Sequence, residues 1–241
     1  MSTVAPVPDE PLSAAERAFM SVRDAIVRGT LAPGTMLAES SLADGLGVSR
    51  TPVRTALARL QDDGWITVYP KRGALVRGLD ARAVAELADA RHMLESSMVA
   101  RATPQARAAL AERLETEVDA QEKVLRAQDL DGFIDLTISF HRAFVEVGGN
   151  ALVLELESRL ADRYRHVLYL HGASLLGRWE QIIAEHRTLV TQLRDDPVEF
   201  ARTLHLHQAD SIAPESVGYE TDRGLTPRAQ PRRTPGRARR P

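Results

Sequence analysis

Two groups of residues in this 241-residue chain have the types and spacing to do chemistry. The first is Ser49, Arg50, Thr51 and Arg54, inside the run Gly-Val-Ser-Arg-Thr-Pro-Val-Arg-Thr-Ala-Leu at 47–57. Val53, Ala56, Leu57 and Leu60 recur at i, i+3, i+4 and i+7, which makes one apolar stripe and leaves Arg50, Thr51 and Arg54 pointing away from it. Arginine at the start of an exposed helix can fork onto guanine O6 and N7 in a major groove or clamp a phosphate, and Ser and Thr hydroxyls can reach the sugar-phosphate backbone. An ordinary solvated helix start carries the same residues, and spacing alone does not separate the two readings. The second group is His141, His186 and His207, each in a helical stretch with an inward face. One such imidazole is more often a packed or hydrogen-bonded core histidine. Three together form a ligand set for a divalent metal such as Zn, Ni or Mn. His205 lies about 160° around the same helix from His207 and is expected to face solvent.

The elements that hold the first group can be read locally. Gly47 suits the positive φ of a tight turn, Ser49 is expected to cap a helix starting near Arg50, and Pro52 falls in its first turn. Upstream, Ser13-Ala-Ala-Glu16 is a capping box that opens a helix with Phe19, Val22 and Ile26 on one face and Gly29 at its end. The turn Leu31-Ala-Pro-Gly34 leads to a short helix, Glu39 to Leu46, with Leu42, Ala43 and Leu46 inward. Beyond Gly64, Trp65–Tyr69 and Ala74–Val76 predict two strands joined by Pro70-Lys-Arg-Gly73. Residues 13–79 therefore predict a winged helix-turn-helix of three helices plus a two-stranded wing. Lys71 and Arg72 sit at the wing tip, placed to touch a DNA backbone or minor groove.

Residues 80–212 show no strand-like alternation and predict about six helices, an antiparallel bundle whose interior is a common place for a ligand. Asp80, Thr103-Pro104 and Gly148-Gly-Asn150 mark helix boundaries, and Arg77-Gly-Leu-Asp80 is the connector between the two parts. Arg163 and Arg165, two residues apart, are expected to be solvated. Residues 1–12 read as a flexible N-terminus. Residues 213–241, rich in Pro and Arg with little to bury, read as a disordered tail able to add salt-sensitive DNA affinity.

The net charge of −2 divides unevenly: +1 over residues 1–79, −7 over 80–212 and +4 over 213–241. Phosphate attraction must then come from the local cluster on the reading helix and wing, because a field decays over a Debye length of about 8 Å at physiological salt. The chain has no cysteine, which removes disulfides and thiolate metal sites. It shows no signal-peptide pattern and no apolar run of membrane-spanning length, so a cytoplasmic chain with no membrane partner is expected.

The stretch from Ala25 to Gly34, with Leu37-Ala-Glu39, Leu42-Ala43, Leu46 to Arg54, Ala56-Leu57, Leu60, Gly64 and Arg72-Gly73, resembles the N-terminal domain of GntR-type bacterial transcription regulators over roughly residues 14–77. The resemblance implies a homodimer on a short palindromic double-stranded operator, with Arg50 and Arg54 as base or phosphate readers. Residues 80–212 resemble the FCD effector domain of the FadR subfamily. That resemblance implies a metal held by three histidines and a carboxylate four residues before the first of them, gripping a small organic acid. At that position this chain has Thr137, a neutral and weaker donor, and Asp135 lies about 120° around the helix from His141. The same resemblance places Arg91 against the carboxylate of the effector, whereas its spacing from Glu95 also fits an i, i+4 surface ion pair. The combined reading is a ligand-responsive repressor and not an enzyme. Two alternatives stay open: a DNA-binding protein with a non-sensing bundle, and a histidine-based metallohydrolase, for which no base or nucleophile is evident.

Overall fold

A computed structural model describes residues 12–212. Both the N-terminal stretch before it and the Pro/Arg-rich tail expected at 213–241 lie outside the described residues. The first part of the chain folds as α1 (Ala14–Val27), β1 (Met36–Leu37), α2 (Glu39–Leu46), α3 (Arg50–Asp62), β2 (Ile66–Tyr69) and β3 (Gly73–Val76). The Ser13/Glu16 capping box is formed in both directions, Ser13 Oγ accepting from Glu16 N–H at 3.2 Å and Glu16 Oε2 accepting from Ser13 N–H at 2.9 Å. Gly47 closes α2 with φ +64, which gives the tight turn that sets α3 across α2. The stripe Val53, Ala56, Leu57 and Leu60 is buried against Phe19, Val22 and Ile26 of α1, so the opposite side of α3 is left to solvent.

The wing has three strands where the sequence predicts two. β1 pairs antiparallel with β3, Met36 opposite Leu75 and Leu37 opposite Ala74, and the sheet order is β1-β3-β2. A two-residue strand is too short to show the period-2 pattern by which strands are recognised. Its pairing depends on Gly73, where an added Cβ would sit 2.4 Å from the Leu37 carbonyl oxygen.

The second part consists of α4 (Ala81–Arg101), α5 (Pro104–Arg126), α6 (Leu130–Glu146), α7 (Ala151–Leu170), α8 (Gly172–Gly177), α9 (Trp179–Asp195) and α10 (Pro197–Ile212). Asp80, Thr103 and Asn150 cap their helices through side-chain oxygens, as their types predict. Among the described residues there are seven helices, not six, because the chain breaks at His171-Gly172 to make the short α8. Gly172 packs closely there: a Cβ would meet Leu130 Cδ2 at 2.4 Å, so that side chain would have to move aside. The bundle core is built from Leu114, Phe133, Phe140, Phe144, Leu189 and Phe200 among others, all essentially inaccessible. Tyr169, near the end of α7, packs against both this core and the N-terminal one.

Arg163 and Arg165 are not free solvated groups. Arg163 Nη2 donates to the Asp63 carbonyl at 2.8 Å, and Arg165 is paired with Asp135. Their two-residue spacing does send them to different faces, but each face of α7 meets another element. No helix among the described residues is long and apolar enough to cross a membrane.

Candidate functional site

Two surfaces carry the chemistry. On α3, Ser49, Arg50, Thr51 and Arg54 are all exposed, so the burial of the apolar stripe does turn them outward together. Ser49 occupies the N-cap position with extended backbone, φ −73 and ψ 170, but its hydroxyl accepts no amide of the first turn. The reason lies three residues on, where Pro52 replaces the N–H that a capping hydroxyl commonly accepts. The hydroxyl is left available to an outside partner. Arg54 Nε donates to Glu39 Oε2 of α2 at 2.7 Å, a contact on a side chain that is two-thirds exposed and so worth roughly 0–1 kcal/mol. Lys71 and Arg72 are exposed at the turn between β2 and β3. Arg72 N–H closes that turn on the Tyr69 carbonyl at 3.0 Å, and Lys71 takes the left-handed conformation at φ +63, uncommon for a side chain with a Cβ.

The other site is inside the bundle. His141 on α6, His186 on α9 and His207 on α10 are buried to 3% exposure or less, and one ring nitrogen from each lies within 4.8 Å of the others. The residues around them fix which nitrogen faces inward. His141 Nδ1 meets Glu95 Oε2 at 2.7 Å, His186 Nδ1 meets Gln121 Oε1 at 2.5 Å, and His207 Nδ1 meets Glu185 Oε2 at 2.7 Å. Those oxygens accept hydrogen bonds, so each ring presents an Nδ1–H to its outer partner and turns Nε2 toward the centre. Burial holds His141 and His186 well below the ordinary histidine range, with the charges of Arg91 and His207 acting in the same direction on both, so both are neutral.

His186 Nε2 and His207 Nε2 are 3.3 Å apart, and His141 Nε2 has no hydrogen-bond partner among the described residues. Two facing lone pairs at that distance repel unless a cation or proton lies between them. Two nitrogens bound at about 2.0–2.1 Å to a tetrahedral ion would be about 3.3–3.4 Å apart. The donor set therefore fits a divalent metal, with His141 having to draw in. Phe140 backs the site, stacked on His186 with ring centroids 4.5 Å apart and an interplanar angle of 18°.

Thr137, one turn before His141, is buried with Oγ1 unpartnered among the described residues, and Asp135 is on the outside of α6 in its pair with Arg165. Arg91 is buried rather than on the surface, its Nη2 3.1 Å from Glu95 Oε1 and its Cζ 3.3 Å from the centroid of the Tyr164 ring. Both of its terminal nitrogens lack a well-formed hydrogen bond among the described residues. The buried guanidinium is ion-paired with Glu95 but poorly aligned to it, so this side of the site keeps donor capacity for a further carboxylate. Burial pushes the Glu95 carboxyl up to about 7, against the pull of Arg91 and His207. His205 is exposed, as its angle from His207 predicts, and rests edge-on against His92 with centroids 5.0 Å apart.

Glu95, Gln121, Tyr164 and Glu185 belong to this site, and none was picked out as a site residue by sequence reasoning. One of them left a signal: Gln121 interrupts the inward stripe Leu114, Val118, Leu125 of α5, an amide where an aliphatic side chain would pack.

Comparison with known proteins matches residues 14–76 to the family described as bacterial regulatory proteins, gntR family, and residues 86–209 to the FCD domain. The HTH-type transcriptional repressor RspR of Escherichia coli K12 is 28% identical over 207 residues, covering 83% of this chain and 88% of that protein. The HTH-type transcriptional regulator McbR of the same organism is 32% identical over 179 residues, covering 72% and 79%. Among solved structures, E. coli McbR/YncC superposes with a TM-score of 0.67 at 23% identity, covering 84% of this chain and 97% of that one. A GntR transcriptional regulator from Rhodococcus sp. RHA1 gives 0.68 at 24% identity over the same shares.

Proposed function

The chain belongs to the gntR family of bacterial regulatory proteins, with an FCD domain behind its DNA-binding domain, and from its standing as a DNA-binding transcriptional regulator we propose that it is a repressor controlled by a small organic acid. Residues 13–79 form the unit that binds a palindromic operator in the cytoplasm, as a homodimer whose two-fold symmetry matches the two half-sites. Arg50 and Arg54 read bases or phosphates, Ser49 and Thr51 contact the backbone, and Lys71 and Arg72 hold the flank. Residues 80–212 form the sensing unit.

Within it, His141, His186 and His207 would hold a divalent metal such as Zn, Ni or Mn through Nε2, with the hydroxyl of Thr137 one turn away on α6. When bound, the metal supplies a positive centre that attracts a carboxylate and leaves coordination positions for its oxygens. Arg91 orients the acid by forking onto a carboxylate with its two terminal nitrogens, which make no well-aligned hydrogen bond among the described residues. Acid binding lowers operator affinity through a coupling of about 1–3 kcal/mol. The observation that supports this reading best is the inward convergence of three Nε2 atoms whose Nδ1 positions are all taken up by outer oxygens. The experiment is to select an operator from random duplex DNA, then titrate it with zinc-loaded protein in the presence and absence of a panel of mono-, di- and tricarboxylates. The reading requires at least one acid to weaken binding about 5-fold or more; unchanged affinity across the panel would contradict it.

A further inference from the structure

Helix α7 lies between the bundle interior and the back of the N-terminal domain, away from the exposed face of α3, and its residues 162–169 include contacts to both. Tyr164 faces the bundle interior. Its ring lies under the Arg91 guanidinium at 3.3 Å and edge-on to His141 at 5.7 Å. Arg163 and His166 face the other way. Arg163 donates to the Asp63 carbonyl just after α3 and has its Cζ 5.7 Å from the Trp65 ring centroid. His166, 1% exposed, has Nδ1 3.1 Å from the Val27 carbonyl at the end of α1, and its ring stands edge-on to Trp65 at 5.9 Å. Further on, Tyr169 OH donates to Asp131 at 2.6 Å and meets Arg28 of α1 at 2.9 Å.

A helix moves as a rigid rod over one turn, so Tyr164 cannot shift without carrying Arg163 and His166 with it. We infer that α7 is the element that couples the histidine and arginine pocket to the DNA-binding domain, with Tyr164 as the positioning residue on the pocket side and His166 and Arg163 as its counterparts against α1 and Trp65. The connector at 77–80 joins the two parts covalently. The buried contacts that can register pocket occupancy lie on α7 instead. An anion that draws Arg91 off the Tyr164 ring changes how that ring packs, and the seam at Trp65 feels the change. The inference rests on the sensing role proposed for the pocket, but its test needs neither metal, acid nor operator.

The chain has two tryptophans, so Trp179→Phe leaves Trp65 as the only indole reporter, placed at the seam itself. In that background, Tyr164→Leu and Arg91→Gln perturb the pocket side of α7, Tyr164→Phe keeps the ring, and Gln121→Leu disturbs the buried polar network from α5 without touching α7. Trp65 emission and amide exchange over the last turn of α1, residues 24–28, are read on the full chain. Tyr164→Leu and Arg91→Gln are expected to shift the emission and to speed exchange in that turn about 5-fold or more. Tyr164→Phe is expected to leave both as in the parent, and Gln121→Leu, which loosens the bundle without acting through α7, is expected to leave the Trp65 emission of the folded protein as in the parent. Parent-like signals in both Tyr164→Leu and Arg91→Gln would overturn the inference, as would an equal emission response to Gln121→Leu, which would mean general loosening. Should Tyr164→Leu fail to fold, Arg91→Gln decides alone. Cobalt added to the parent reports separately on the histidines through its visible absorption. An absent cobalt spectrum with an intact Trp65 response would refute the metal reading and support the coupling.

Discussion

Replacing Gln121 by Leu tests the metal site without removing any of its ligands. The Gln121 side chain is inaccessible and fixes His186 by accepting from Nδ1 at 2.5 Å, so its loss frees the ring to rotate or change tautomer. Loss of such an outer partner lowers metal affinity by about 10- to 100-fold. At zinc set to about 100 times the parent dissociation constant, binding stabilises the parent by about 2.7 kcal/mol; the same concentration stabilises the variant by about 0.4–1.4 kcal/mol. With about 2–4 °C per kcal/mol for a chain of this size, zinc should raise the parent melting temperature by about 5–11 °C and that of the variant by about 1–6 °C. The metal-free variant should also melt earlier, because a buried Nδ1–H left without an acceptor costs about 1–3 kcal/mol. Differential scanning calorimetry with and without zinc, paired with a competition titration against a chromophoric chelator, measures both effects. An unchanged zinc increment in the variant, or none in the parent, would refute the reasoning from ring orientation.

Three further outcomes follow from the same geometry. Phe140→Ala removes a fully buried ring that stacks on His186, and urea unfolding should show a loss of about 3–5 kcal/mol together with weaker metal binding. Burial holds His166 below the ordinary histidine range, partly offset by the carbonyls of Val27 and Ile26. The unfolded chain therefore takes up this proton first, and the stability the neutral ring contributes is present above about pH 6.5 and is lost as pH falls below it. Unfolding free energies measured between pH 5 and 8 should show a shallower acid loss for His166→Leu than for the parent. Gly148→Ala would place a Cβ 2.7–2.9 Å from Met98 Sδ, Cβ and carbonyl oxygen, so it should destabilise the α4–α6 contact by about 1–3 kcal/mol in the same assay.

The sequence exposes this fold unevenly, for physical reasons. Helix limits at Ser13, Asp80, Thr103 and Asn150 could be read because capping is local chemistry, carried by the side chain and the next three amides. Ser49 misled because the same local rule fails when the third residue is a proline. The strand Met36–Leu37 and the short helix α8 escaped notice because both depend on tertiary contacts, at Leu37 with Gly73 and at Gly172 with Leu130. In the bundle, the histidines were evident by type, and their outer partners were not. Which oxygen reaches which Nδ1 depends on how α4, α5 and α9 pack, and nothing in the spacing of Glu95, Gln121 or Glu185 encodes that. Arg91 shows the limit most clearly: an i, i+4 partner at Glu95 is what a surface pair would have, and only burial distinguishes it.

The claim on which everything else depends is that the outward side of α3 reads DNA. The most direct measurement is the affinity of Arg50→Ala, Arg54→Ala and the double variant for a selected operator and for an unrelated duplex, across a series of salt concentrations. Each single change is expected to cost about 1–3 kcal/mol on the operator, and the double variant should lose most of the discrimination between the two duplexes, with a shallower salt dependence wherever a phosphate contact has gone. Full operator affinity and discrimination in the double variant would contradict the account.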